Sequence, residues 1–244
     1  MSDRPPIESA ITPLISMLNI GGQIFCRALT RVTVSGAIDE IPRNGPLIIA
    51  ANHASNLDAV VLGSWIVPKL GRRINWLGKK ELFEWPILGY LAAHGGVHPV
   101  DRGAADVEAF RLARRILDEG HILFVFPEGT RSPDGALHSA HDGVAVLAQR
   151  TGAPIVPVGI AGSHGVWPRG QSLPHPGGRV TLRVGSPFRP VEELPPGTDR
   201  RSAKALITTM IMERIAALLP PSQRGVYGVS AAAGRTPARS EAQA

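Results

Sequence analysis

The stretch Pro46-Leu47-Ile48-Ile49-Ala50-Ala51-Asn52-His53-Ala54-Ser55-Asn56-Leu57-Asp58 decides the fold. Its first six residues are an unbroken apolar run, the pattern of a strand buried on both faces of a parallel sheet. A short polar turn follows, and Leu57–Val67 then returns to apolar residues at helical length. Strand, turn and helix in that order form the repeating unit of an α/β fold.

The alternation continues on both sides of this stretch. Arg31–Ser35 alternates as a short strand, and Ile74–Leu77 is another, followed by a helical region over Lys80–Ala93 and a strand over Val97–Val100. Ala104–Glu119 reads as a helix with Val107, Phe110, Leu112, Ile116 and Leu117 facing inward and Gly120 as its stop. The run His121–Phe126 (HILFVF) is a buried strand, Gly143–Arg150 a helix, Pro154–Ile160 a strand, and Arg179–Val184 a strand exposed on one face. Ser202–Leu219 is a helix ended by Pro220 and Pro221. These segments predict an α/β layered sandwich with a largely parallel or mixed central sheet flanked by helices, over residues 31–220.

Two terminal segments frame that domain. Residues 1–30 read as a short amphipathic helix, with Leu14, Ile15, Leu18, Phe25 and Leu29 at spacings near three and four. Arg27 and Arg31 follow, so the helix reads either as interfacial, lying on anionic lipid, or as packed on the core. Gly21 and Gly22 weaken it in both cases. Residues 221–244 are rich in Ala, Gly, Ser, Arg and Gln and predict a disordered tail.

Hydrophobic residues make up 43% of the 244 residues, which excludes wholesale disorder. Lys and Arg number 26 against 20 Asp and Glu, a net charge of +6 that favours anionic partners such as lipid headgroups, phosphorylated substrates and CoA-type donors. Nucleic acid fits poorly, since aromatic residues are only 5% and do not interleave with a basic stripe. The single cysteine, Cys26, allows no internal disulfide and agrees with a reducing compartment. Met1–Glu8 lacks the order of a signal peptide, and no apolar stretch reaches the roughly 18 residues of a spanning helix. A soluble or peripheral protein is expected.

In such sheets ligands bind beyond the carboxyl ends of strands. After Ala51 come His53 and Asp58. Five residues of ideal helix turn about 500°, which would leave the pair roughly 140° apart. They meet only if His53 lies in the turn and Asp58 in the first helical turn, an arrangement that the capping-box-like Ser55-x-x-Asp58 favours. The pair then reads as a base with its orienting carboxylate, or as a helix cap beside a polar turn residue. After Val100 comes Arg102, a phosphate clamp or a partner for Asp101 or Asp106. After Phe126 come Glu128, Gly129, Thr130, Arg131 and Ser132, which read as an anion-binding turn or as a turn with a Glu–Arg pair. His138 and His141 lack a convincingly spaced third ligand, so no metal is expected.

Together these segments resemble the 1-acyl-sn-glycerol-3-phosphate acyltransferase family over roughly residues 34–190. The family's His-x4-Asp block appears as Asn52–Asp58, its second block as Gly96-Val97-His98-Pro99-Val100-Asp101-Arg102, its third as Phe126-Pro127-Glu128-Gly129-Thr130-Arg131-Ser132, and its fourth as Pro154-Ile155-Val156-Pro157-Val158. Pro99 stands where an aromatic is common. Ala140-His141-Asp142-Gly143 lacks the family's aromatic and lysine, which opens the identity of the acceptor.

The resemblance implies acyl transfer from acyl-CoA or acyl-carrier protein to the hydroxyl of lysophosphatidic acid, giving phosphatidic acid in phospholipid biosynthesis. It also implies that no covalent acyl-enzyme forms and that no further cofactor is needed. His53 would be the base and Asp58 its partner, while Arg102, Glu128, Gly129, Thr130 and Arg131 would hold the acceptor, with a backbone N–H near Gly129 for the oxyanion. The expected workplace is the cytoplasmic face of the cell membrane, bound peripherally on an anionic surface. Another lysolipid, an acylated amino acid or a glycolipid is the alternative acceptor, and a non-catalytic lipid-binding protein is the reading from a different class.

Overall fold

The computed structural model describes residues 7, 10–100 and 106–228. Seven strands form one sheet: β1 (Arg31–Gly36), β2 (Leu47–Ala51), β3 (Ile74–Lys79), β4 (Val97–Val100), β5 (Ile122–Val125), β6 (Ile155–Ala161) and β7 (Arg179–Val184). Their spatial order is β1-β7-β6-β2-β5-β3-β4. Every pairing is parallel except β6 with β7. The helices are α1 (Pro13–Leu29), α2 (Asp58–Leu70), α3 (Pro86–His94), α4 (Asp106–Asp118), α5 (Gly143–Thr151) and α6 (Arg200–Ala217). The layered α/β sandwich read from the sequence is the architecture observed.

Strand β2 sits near the middle and is buried along its whole length. Its side chains alternate between two cores, as the period of a strand dictates. Leu47, Ile49 and Ala51 pack with Ile15 and Cys26 of α1 and Leu57, Val61, Leu62 and Ile66 of α2. Ile48 and Ala50 face the opposite layer, made by Ile116 and Leu117 of α4, Ala145 and Ala148 of α5, and Ile207, Ile211 and Ile215 of α6. With helices on both faces, the carboxyl ends of β2, β5 and β6 open side by side at one edge of the sandwich.

Four expectations change. The helical region Lys80–Ala93 is broken at Trp85, between a 3-10 turn over Lys80–Glu84 and α3. Pro86 forces the residue before it out of the helical region, and Trp85 is extended (φ −87°, ψ 112°). Val107, expected inward, is 58% exposed, because it lies in the first turn of α4 while Ala113, Ile116 and Leu117 lie over the sheet. Helix α6 starts two residues early, where the Asp199 carboxylate accepts the N–H groups of Arg201 and Ser202. Residues 221–228 are not a free tail but two 3-10 turns, Pro221–Gln223 and Gly225–Tyr227, bonded to the domain. Residues 229–244 lie outside the described residues.

Helix α1 packs along α2. No helix among the described residues is long and apolar enough to cross a membrane. Its two glycines have different surroundings. A side chain at Gly22 would strike the Ser64 hydroxyl of α2, whereas Gly21 faces open space. Gly21→Ala is therefore expected to raise stability by about 0.5–1 kcal/mol, and Gly22→Leu to lower it by about 1–3 kcal/mol, both measured by urea unfolding. Equal effects of the two changes would contradict this packing.

Candidate active site

The polar turn after β2 is held from three sides. At its start, Asn52 is buried, and its side chain imitates a paired strand residue. Its Nδ2 donates to the Ile160 carbonyl at 2.9 Å, and its Oδ1 accepts the Ile160 N–H at 2.7 Å. This ties the end of β2 to the end of β6 just before the chain turns.

His53 is gripped by the segment after β5. Its N–H donates to Glu128 Oε1 at 2.8 Å, and its carbonyl accepts the Ser132 N–H at 2.7 Å. The Phe126 ring stacks flat on the imidazole, with centroids 3.7 Å apart and planes 8° from parallel. Phe124 meets Phe126 edge-on at 4.6 Å. The ring plane of His53 is thus fixed by an aromatic platform rooted in β5.

Asp58 fixes the ring from the other direction. It is the first residue of α2 and fully buried. Its Oδ2 lies 2.9 Å from His53 Nδ1 and also accepts the N–H groups of Ala54 and Ser55, both at 2.7 Å. Two donating amides make Oδ2 an acceptor, which assigns the proton of the neutral imidazole to Nδ1. The lone pair of Nε2 is then available, and the start of α2 is a favourable place for the negative charge. Only half of the capping box forms. Asp58 reaches back to the Ser55 N–H, but Ser55 Oγ accepts from Leu57 and donates to the Trp167 carbonyl.

Glu128 is also buried, and its two oxygens are both engaged by backbone: Oε1 by His53 N–H and Oε2 by His138 N–H at 3.0 Å. Burial raises its proton affinity, and those two N–H groups oppose the rise. Gly129 is left-handed (φ +69°) beneath the His141 ring, and its N–H donates to the Phe126 carbonyl, so that amide is already used. Thr130 and Arg131 lie at the rim, exposed and half-buried respectively. Arg102 lies outside the described residues. Among the described residues, no group of three or more His, Cys, Asp or Glu is placed to hold a metal.

The sequence reading missed the third wall. The loop after β6 brings Trp167 and Pro168 onto the turn, where their carbonyls accept from Ser55, Asn56 N–H and the Asn56 amide. It also brings Arg169 Nη1 to within 3.4 Å of Thr130 Oγ1 and His164 Nδ1 to 3.2 Å from the Ala54 carbonyl. The rule that ligands sit beyond strand ends points to this loop, because it follows Ile160.

The folded chain binds the Glu128 proton more tightly than the unfolded chain does. Stability from this group is therefore greatest at low pH and falls as pH rises through its raised pKa. Glu128→Gln lacks that fall. The unfolding free energy of Glu128→Gln minus that of the parent is expected to grow as pH rises above the ordinary glutamate range, read by urea titration. A difference independent of pH would contradict the burial of this carboxyl.

The geometry can be set beside known proteins. An acyltransferase family model matches residues 31–161. The chloroplastic 1-acyl-sn-glycerol-3-phosphate acyltransferase of Arabidopsis thaliana is 31% identical over 157 residues, covering 62% of this chain and 42% of that protein. The Bacillus subtilis protein of the same name is 28% identical over 171 residues, covering 67% and 81%. The lyso-ornithine lipid O-acyltransferase of Pseudomonas aeruginosa is 35% identical over 140 residues, covering 56% and 50%. The matched segment is less than half the length of the plant relatives. The crystal structure of the 1-acyl-sn-glycerophosphate (LPA) acyltransferase of Thermotoga maritima superposes with a TM-score of 0.68 at 25% identity, over 84% of this chain and 79% of that one. Since the family match spans more than half of the sequence and includes His53, Asp58 and the clamp from Glu128 to Ser132, this chain belongs to the acyltransferase family.

Proposed function

We propose that the protein transfers a fatty acyl group from acyl-CoA or acyl-carrier protein to the free hydroxyl of 1-acyl-sn-glycerol 3-phosphate, giving phosphatidic acid. The observation that carries this reading is the 2.9 Å contact between His53 Nδ1 and buried Asp58, in a ring clamped against Phe126. An alcohol is a weak nucleophile and needs its proton removed as it attacks. His53 Nε2 takes that proton while the hydroxyl oxygen bonds to the thioester carbonyl. Asp58 stabilises the imidazolium so formed. The tetrahedral intermediate then collapses, the carbon–sulfur bond breaks, and the leaving sulfur takes the proton from Nε2 and departs as the thiol, which returns His53 to its neutral form.

Arg102, Gly129, Thr130 and Arg131 are read as the cradle for the acceptor's phosphate and glycerol groups, with Arg169 as a further cation at Thr130. Glu128 stands beneath that cradle, with its two oxygens held by the His53 and His138 N–H groups. With the Gly129 N–H engaged, the oxyanion donor falls to the amides of Thr130 or Arg131.

An anionic membrane surface at the cytoplasmic face of the cell membrane is the proposed workplace. Helix α1 presents Met17, Ile20 and Ile24 to solvent at 68%, 58% and 63% exposure, on one side of the helix, with Arg27 and Arg31 just beyond. Trp85, Ile87 and Tyr90 are exposed apolar residues beside and on α3, which touches α1. Lysolipids reside in such surfaces.

A second acceptor class has its own support. Ala140–Gly143 departs from the family pattern, and the Pseudomonas aeruginosa relative is named for a lyso-ornithine lipid. That acceptor has no phosphate, so Arg102, Arg131 and Arg169 would matter less to it.

Purified protein given labelled acyl-CoA or acyl-carrier protein and a panel of lysolipids is expected to acylate lysophosphatidic acid most rapidly. His53→Ala is expected to lower the rate about 10²–10⁴-fold, with folding intact by circular dichroism. Turnover of His53→Ala equal to the parent would remove His53 as the base, and preference for lyso-ornithine lipid would select the second acceptor. Ile20→Asp with Ile24→Asp is expected to weaken binding to anionic vesicles about tenfold or more, measured by flotation. Unchanged binding would remove α1 as the docking face.

A further inference from the structure

The segment after α6 reads from composition as a tail, yet it is stitched to the loop that carries Glu128's second partner. Gln223 accepts the Leu137 N–H at 3.0 Å, and the Leu137 carbonyl accepts the Val226 N–H at 3.3 Å. Leu137 is thereby paired on both backbone groups, like a residue in a two-stranded ladder, with its side chain in the core. The next residue, His138, donates its N–H to Glu128 Oε2. Glu128 Oε1 holds the His53 N–H. One continuous chain of contacts runs from residues 223–226 through Leu137, His138 and Glu128 to His53.

The close approach of this segment is built in. Gly225 is left-handed (φ +49°), and a Cβ there would collide with the Leu137 carbonyl. Arg224 Nε donates to the Leu219 carbonyl at 3.0 Å, fixing the segment to the end of α6. Tyr227 packs on the same core, and burial raises the proton affinity of its phenol. The family match ends at residue 161, so residues 220–228 lie outside it, while Glu128, Leu137 and His138 lie within.

We propose that the segment from Pro220 to Gly228 is a positioning strap for the active site, with Gly225 and Tyr227 as positioning residues that hold Glu128, and through it the backbone of His53, in working geometry. The effect on rate rests on the proposed role of His53; the effect on geometry does not. A residue placed about 1 Å out of line can lower a rate about a hundredfold, so a strap outside the catalytic blocks can govern turnover. It acts on the chemical step rather than on acceptor binding, since it reaches His53 and not the rim residues Thr130 and Arg131.

Glu128 gives a readout that a purely structural strap would not move. The titratable groups facing it are His53 and His138, with the Tyr227 phenol near them. Loosening the strap weakens the His138 N–H bond, one of the contacts that favours the ionised carboxylate, so Glu128 takes up its proton at higher pH. A protonated Glu128 is a poorer acceptor for the His53 N–H. The contribution of Glu128 to the acid limb of the rate profile should then move to higher pH.

The test uses the full chain with Gly225→Val and, separately, Tyr227→Phe. For Gly225→Val the expected result is a kcat lowered about tenfold or more at an acceptor KM within about twofold, with the acid limb displaced upward. Amide hydrogen exchange is expected to speed up at His138 and His53 while β6 stays protected. Tyr227→Phe is expected to change the same quantities in the same direction by less, and it carries the test if Gly225→Val fails to fold. Unchanged kcat and acid limb, or a loss of rate with His138 and His53 amides protected as in the parent, would overturn the strap. If the parent protein turns over no acceptor, the proposed function fails, and the exchange of those two amides still decides the strap.

Discussion

One oxygen atom organises this site. Asp58 Oδ2 gathers the His53 ring nitrogen and the N–H groups of Ala54 and Ser55, all within 2.9 Å, inside the protein. A buried carboxylate is costly unless donors surround it. The chain meets that demand at Oδ2 by wrapping the turn after β2 around the first residue of α2, while Oδ1 is buried with no partner among the described residues. The same wrapping aims the imidazole. Satisfying the buried Oδ2 and orienting the His53 ring are therefore done by one set of bonds.

The rest of the fold keeps that turn from relaxing. Asn52 ties the end of β2 to β6, and Trp167 and Pro168 after β6 accept donors from Ser55 and Asn56. Phe126, Glu128 and Ser132 after β5 hold His53 by its ring, its N–H and its carbonyl. Three adjacent parallel strands thus each contribute one wall. A largely parallel sheet suits this task, because its strands end on the same side and its cores lie on both faces.

Much of this was legible in the sequence, for reasons that differ by element. The run Pro46–Ala51 announces a doubly buried strand, and Ser55-x-x-Asp58 marks the helix start, because both are local patterns. The inward set of α4 was only partly legible: periodicity alone does not say that Val107, in the first turn, stays exposed. The break at Trp85 was within reach, since Pro86 stands next to it. Glu128's work was not. Its partners are the backbone amides of His53 and His138, and no side-chain pattern encodes a bond to an amide 75 residues away. The segment after Pro220 escaped for the same reason: its hold on Leu137 is made by backbone and by the missing side chain of Gly225. Arg169 escaped because its neighbour Thr130 is brought to it only by the pairing of β2 between β5 and β6.

The central claim is that Asp58 holds the imidazole with its proton on Nδ1 and its Nε2 lone pair free. Nitrogen-15 NMR of the His53 ring in the neutral form tests it most directly. The account predicts a protonated Nδ1 and a bare Nε2, with Asp58→Asn abolishing that preference. A proton on Nε2 in the parent protein, or rapid averaging between the two nitrogens, would contradict it.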